Sequence, residues 1–180
     1  MEQVFTRAAL FALVLLAATA CLGLWLGDLH GVTDPAILRW GTVHRLTGVL
    51  TALVVVLVNS LTVTYFIGTG RWCREVVEVY GLDRAFVTRS AKLKRSAFPF
   101  AMAGMLAIVA LGGAADPAAG RKGSRDWVTW HLVGGLGLAG AIAACFQAQL
   151  PAIRGQHALI DDVMDEVRSV RLARGLDVDG

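Results

Sequence analysis

Four uninterrupted apolar runs dominate this chain, at about 8–27, 46–67, 97–115 and 129–150. Each is close to the roughly 20 residues that a helix, rising ~1.5 Å per residue, needs to cross a hydrocarbon layer ~30 Å thick. Lipid offers no partner to a bare N–H or C=O, so such runs fold as helices that close their own hydrogen bonds. The sequence therefore predicts an all-α, polytopic membrane protein built as a four-transmembrane-helix bundle. The balance of the whole chain agrees: 56% of residues are hydrophobic, only 17% are charged, and the mean hydropathy is +0.59. Soluble domains carry more charge and less apolar surface.

The basic residues orient the bundle. Arg7, the segment between the second and third runs (Arg71, Arg74, Arg84, Arg89, Lys92, Lys94, Arg95) and the tail (Arg154, Arg168, Arg171, Arg174) together hold twelve of the 17 lysines and arginines. The opposite loops hold five: Arg39, Arg45, Arg121, Lys122 and Arg125. Positive-inside bias predicts a bacterial-type inner-membrane protein with both termini and the middle segment cytoplasmic. The net charge of +3 is then a topology signal. Nucleic acid is not an expected partner, because the cations flank spans and do not form one patch interleaved with aromatics. Arg7 and the Ala18-Thr19-Ala20 before Cys21 resemble a signal peptide and its cleavage site. The apolar run continues through Leu22 to Leu26, which favours a retained first span.

Two stretches repeat one phrase. Gly31-Val-Thr-Asp34-Pro35-Ala36 leads to Trp40-x-Thr42-x-His44 and then Gly48, and Gly113-Ala-Ala-Asp116-Pro117-Ala118 leads to Trp127-x-Thr129-x-His131 and then Gly135. The unit is a helical hairpin whose second span opens on a histidine. We expect hairpin one over 1–67 and hairpin two over 97–150, parallel and related by a pseudo-twofold axis along the membrane normal. The second outer loop is five residues longer, since Gly31 to His44 spans 13 positions and Gly113 to His131 spans 18. Asp-Pro favours a turn that opens a helix. Thr42 and Thr129 are candidate caps or first-turn residues. Trp40 and Trp127 suit the membrane boundary.

A basic connector, 68–96, separates the hairpins. Gly68-Thr69-Gly70 is expected to end the second span, a short helix to cover 71–80, and Gly81 to break it. Asp83 is placed to cap a basic amphipathic helix over 84–96 that would lie on an anionic leaflet. Beyond Pro151 the 151–180 tail carries another amphipathic helix, about 156–175. Its stripe of Leu159, Ile160, Val163, Val167 and Val170 would dock on the connector or pair with a second copy.

The histidine pair carries the chemistry. His44 and His131 fall at matching depth near the outer face. If both face the bundle axis, their imidazoles oppose one another, and a haem iron takes two such neutral ligands. Gly48 and Gly135, four residues below, share the histidine faces and would leave room for a flat macrocycle. Trp40 and Trp127, four residues above, would pack on its edge. Arg45 leads a set of outer cations suited to propionates, followed by Arg39, Arg121, Lys122 and Arg125. The plainer reading treats both histidines as interfacial polar residues and the glycines as helix-packing residues. A third adds His30, beside Asp28, to His44 and His131 as a copper or zinc site.

Val43-His44-Arg45-Leu-Thr-Gly48 resembles the helix-opening histidine motifs of membrane b-type cytochromes, including the cytochrome b561 type and the haem A synthase group. The resemblance implies four-helix units that bind haem b through histidines on transmembrane helices. The second motif, Trp130-His131-Leu-Val-Gly134-Gly135, lacks the arginine. No histidine stands near the cytoplasmic span ends, so the pattern implies one haem and not a transmembrane pair. The expected activity is electron transfer between quinol or a redox partner subunit and a periplasmic acceptor. The other class of reading is a non-catalytic scaffold or assembly subunit, whose connector and tail recruit partners or a second copy. The three cysteines, Cys21, Cys73 and Cys145, form no CxxC or CxxCH. No nucleophile–base pair, phosphate loop or HExxH supports hydrolase chemistry. The main polar side chains inside the runs are Asn59, Gln147 and Gln149, too few in charge for an ion-coupled transporter.

Overall fold

A computed structural model describes residues 1–115 and 126–176. Among them the chain is all-α, with four helices and no strand: α1 Glu2–Leu26, α2 Pro35–Tyr80, α3 Ala85–Gly113 and α4 Asp126–Ala173. Each contains a stretch long and apolar enough to cross a membrane. α2 has 46 residues and α4 has 48. At ~1.5 Å per residue each is roughly 70 Å long, more than twice the hydrocarbon thickness.

The helices close a ring in which α1 touches α2 and α4, and α3 touches the same two. α2 and α4 also meet across the diagonal, whereas α1 and α3 do not touch among the described residues. The two histidine-bearing helices are therefore the ones brought together at the centre. Cross-helix contacts fix which ends coincide. At one end Arg154 Nε donates to Glu2 Oε1 at 2.7 Å, Arg89 Nη1 donates to Asp162 Oδ2 at 2.7 Å, and an Arg174 guanidinium N–H reaches the Tyr80 carbonyl at 3.4 Å. At the other end Trp25 and Trp40 meet edge to face, ring centroids 5.9 Å apart. Arg7, the connector and the tail thus share one end.

Helix starts and stops follow local chemistry, with three departures from expectation. Asp34 caps α2 by accepting from the Ala36 N–H at 2.8 Å, with Pro35 in the first turn. This is the arrangement in which a short acceptor and a missing N–H both suit a helix opening. Thr42 is consequently no cap. It sits in the interior of α2, its hydroxyl donating back to the Leu38 carbonyl at 3.2 Å. Gly81 ends α2 in the left-handed region, φ 69°, where glycine has no Cβ to clash. Asp83 accepts from the Ala85 N–H at 2.8 Å, as its position suggested.

The first departure lies at Gly68-Thr69-Gly70, which does not end a helix: α2 runs straight through to Tyr80. A glycine costs a helix interior only ~1 kcal/mol, and tertiary contacts outweigh that here. Gly70 backs onto Ser90 of α3, and Thr69 Oγ1 accepts from Gln156 Nε2 of α4 at 3.2 Å. The second departure lies at Pro151, where α4 continues unbroken from the apolar run into the tail. Ala152 and Ile153, just after it, are buried. Proline removes one backbone hydrogen bond, and the flanking burial holds the axis. In the same way 84–96 is not a separate surface helix. It is the opening of α3, wedged between α2 and α4 with Ser90 and Ala97 buried.

Two apolar clusters follow. The larger joins Phe5, Ala12, Leu16, Val55, Val58, Phe66, Ala97, Ile108, Ile142, Phe146 and Ile153 from all four helices. The second, beyond the apolar runs, joins Cys73 and Val77 of α2 to Leu159, Val163 and Val167 of α4. The tail stripe thus docks on its own connector. Burial there also pushes the Cys73 thiol pKa up. Leu159→Ala is expected to cost about 2–5 kcal/mol, the usual range for a fully buried leucine. The same change should make Cys73 reactive towards maleimide at neutral pH, where the wild-type thiol stays protected; thermal melts and labelling rates check both.

Candidate functional site

The histidine end of the bundle is built differently from the rest. Residues 17–26 of α1, 109–113 of α3 and 127–141 of α4 include no buried position, and Gly41 is the only one in 35–50 of α2. Leu22, Leu26, Leu111 and Leu132 are only partly covered here, and glycines and threonines lie at the α1–α2 seam. α1 and α2 stay close through absent side chains. A Cβ on Gly41 would lie 2.8 Å from Leu29 Cδ1, and one on Gly23 would lie 2.9 Å from His44 Cε1. Thr51 donates to the Thr47 carbonyl at 2.8 Å, so Thr19 supplies the proton for the 3.0 Å contact between their hydroxyls.

His44 sits in this seam, in the third turn of α2. Its imidazole packs over Gly23 and interacts with the Thr19 backbone. His131 sits in the second turn of α4. The two rings are half-buried and within electrostatic reach of each other. Each has its Nδ1 buried with no hydrogen-bond partner. A polar ring nitrogen in that position is costly unless something meets it. The two histidines of the repeat thus stand on helices that contact each other, each with one orphaned ring nitrogen.

The remaining expected residues divide. Gly48 and Gly135 do not face one another between the rings. A Cβ on Gly48 would touch Thr19 of α1, and one on Gly135 would touch Leu111 of α3, each at 3.8 Å. They ease packing of a hairpin's second helix on its first, which is the membrane use of small residues. Trp40 is half-exposed against Trp25, and Trp127 is likewise exposed. With Trp130 these rings put four of the chain's five tryptophans at the histidine end. Arg45 is exposed near His44 and donates to Thr42 Oγ1 at 3.1 Å. Asp116, Pro117, Arg121, Lys122 and Arg125 lie outside the described residues.

His30 stands apart. Its Nδ1 pairs with Asp28 Oδ1 at 2.5 Å, and its backbone N–H donates to the same oxygen at 2.9 Å. Among the described residues no three His, Cys, Asp or Glu side chains gather as a metal-binding group. A three-histidine site is therefore not assembled in this geometry.

Sequence reasoning missed Gly23 and Thr19 as the partners of His44, because nothing in an apolar run marks which face meets a neighbour. It named Asn59 and Gln149 without pairing them. Gln149 Nε2 donates to Asn59 Oδ1 at 3.1 Å, both side chains fully buried. Below them Gln156 Nε2 donates to Ser90 Oγ at 3.1 Å. These bonds lock α2, α3 and α4 under the histidines. Comparison with family models, curated proteins and solved structures yields no match for this chain.

Gly23→Ala is expected to force the His44 ring aside and to destabilise the fold by about 1–3 kcal/mol, as overpacking does. Gly137→Ala, whose added Cβ meets nothing within 4 Å, should instead be neutral or gain ~0.5–1 kcal/mol from helix propensity. Thermal unfolding and the NMR shifts of a labelled His44 ring distinguish the two.

Proposed function

We propose that this chain is a small inner-membrane, b-type cytochrome-like electron-transfer protein or subunit, with one haem b held between His44 and His131 near the outer face. The observation that carries the reading is the pair of imidazoles on contacting helices, within electrostatic reach of each other and each with a buried ring nitrogen that no protein group satisfies. The residues fit the group. Two neutral imidazoles on opposed helices are the ligand set of a six-coordinate haem iron. Bound there, haem b supplies a one-electron iron couple.

The chain's own residues do the rest. Gly23 gives the His44 ring its place on α1. The surrounding half of the bundle has no tightly interdigitated core to be displaced. Trp25, Trp40, Trp127 and Trp130 set the level of this end at a membrane boundary, and Arg45 and Arg39 offer cations to acidic groups emerging there. The membrane topology belongs to the same proposal: two parallel hairpins, termini and connector cytoplasmic, histidines towards the periplasmic side. Electrons would then pass between quinol or a partner subunit and a periplasmic acceptor.

The scaffold reading draws less support. It relied on the tail to recruit partners, yet the apolar stripe of Leu159, Val163 and Val167 is consumed inside the chain against Cys73 and Val77.

Membranes containing the protein are expected to show a low-spin Soret band and stoichiometric iron. His44→Ala or His131→Ala should abolish the band, while His30→Ala should leave it. Purified wild-type protein without haem, after expression in haem-sufficient cells, would sink the proposal.

A further inference from the structure

At the end of the bundle remote from the histidines, α2 and α3 flank a cleft of about 270 Å³. Its lining changes character along the helix axis. Phe66 and Ile67 belong to the last turn of the apolar run of α2, and Arg71 and Arg74 follow one and two turns later. Lys94 faces them from α3. No acidic residue lines the cleft among the described residues. Arg71 is partly neutralised by Glu75, its Nε donating to Oε1 at 2.8 Å, which leaves Arg74 and Lys94 as the stronger field. Lys94 is half-buried, with Nζ 5.9 Å from the Phe98 ring centroid.

The back wall holds a fixed neutral donor. Ser90 is only 4% exposed, and its Oγ accepts from Gln156 Nε2 of α4 at 3.1 Å, so its own hydroxyl proton is left to donate. Gly70 stands opposite. A Cβ there would lie 3.6 Å from Ser90 Oγ, so a larger side chain would fill the cleft.

We propose that this cleft binds the phosphate of an anionic glycerophospholipid, with an acyl chain lying along the exposed Ile67. Three cations and a fixed hydroxyl around one small volume suit a phosphate. The apolar lining directly above suits a lipid tail and gives a free phosphate nothing to contact. The cleft also lies where the apolar run of α2 gives way to charge, the depth of a headgroup. A second basic cleft at the same end, lined by Arg7 and Arg154, contains Glu2, which pairs with Arg154 at 2.7 Å. One of its two arginines is thereby neutralised, which leaves Arg7 as a single cation, and that cleft serves as the control.

The test uses delipidated, full-length protein in detergent, titrated with phosphatidylglycerol or phosphatidylcholine and read by native mass spectrometry. Phosphatidylglycerol is expected to bind preferentially and to weaken with added sodium chloride. The double variant Arg74→Gln/Lys94→Gln should weaken binding by roughly 25-fold, about fivefold for each basic residue beside an anionic headgroup. Gly70→Leu, which keeps every cation, should abolish it, and Arg7→Gln should leave it unchanged. Circular dichroism confirms that the variants are folded. Equal binding of the two lipids, insensitivity of the wild type to salt, or full binding by the double variant would overturn the proposal. So would displacement of the lipid by millimolar inorganic phosphate, which would mark a site for the soluble anion.

Discussion

The close approach of α2, α3 and α4 around Asn59 is the contact on which the rest of the bundle depends. A Cβ on Gly104 would lie 2.9 Å from Asn59 Nδ2 and 3.1 Å from Oδ1, so only a residue without a side chain lets α3 seat there. Asn59 Nδ2 donates down its own helix to the Val55 carbonyl at 2.9 Å, and its Oδ1 accepts from Gln149 of α4. Interhelical bonds of this type average only ~0.6 kcal/mol in membranes. Their value here is geometric. The Asn59–Gln149 bond is made in one register only; Gln149 Oε1 is buried without a partner already, and any slip would strand further polar atoms.

Everything above and below takes its level from that junction. One direction leads to Gln156, Ser90 and Thr69, then to the head in which the tail packs on the connector. This half is dense, with fully buried Phe66, Ile153, Leu159 and Val163. The other direction leads to the histidines, where packing thins. The head is also the reason α2 and α4 run so far past the hydrocarbon thickness. Their halves in the head gain apolar contacts that keep the helices continuous through glycine and proline.

Charge is distributed in keeping with this division. The cross-helix ion pairs Arg154–Glu2 and Arg89–Asp162 are exposed. Such pairs contribute about 0–1 kcal/mol each; they orient the helix ends more than they hold them. Arg74 and Lys94 are directed into a cleft, and Arg45 and Arg39 stand at the far end near His44.

Much of the architecture was legible in the sequence because lipid leaves a chain few options. The four apolar runs, their helical state, the shared end of Arg7, connector and tail, and a helix opening at Asp34-Pro35 follow from hydrogen-bond satisfaction, charge placement and local turn chemistry; that Asp34 and not Thr42 is the cap came from the structure. The repeated phrase put His44 and His131 at equivalent places on two helices, and the fold brings those helices into contact. The tertiary structure alone decided which faces meet. Local propensity read Gly68-Thr69-Gly70 and Pro151 as boundaries, and packing against neighbouring helices overrode it. The glycines at 48 and 135 looked like space beside the histidines, and they are seats for α1 and α3. In an apolar run every face is equally hydrophobic, so composition cannot mark the side that will be covered. Only the positions of Asn59, Gly104, Gly23 and Gln156 relative to one another, set by packing in three dimensions, make that choice.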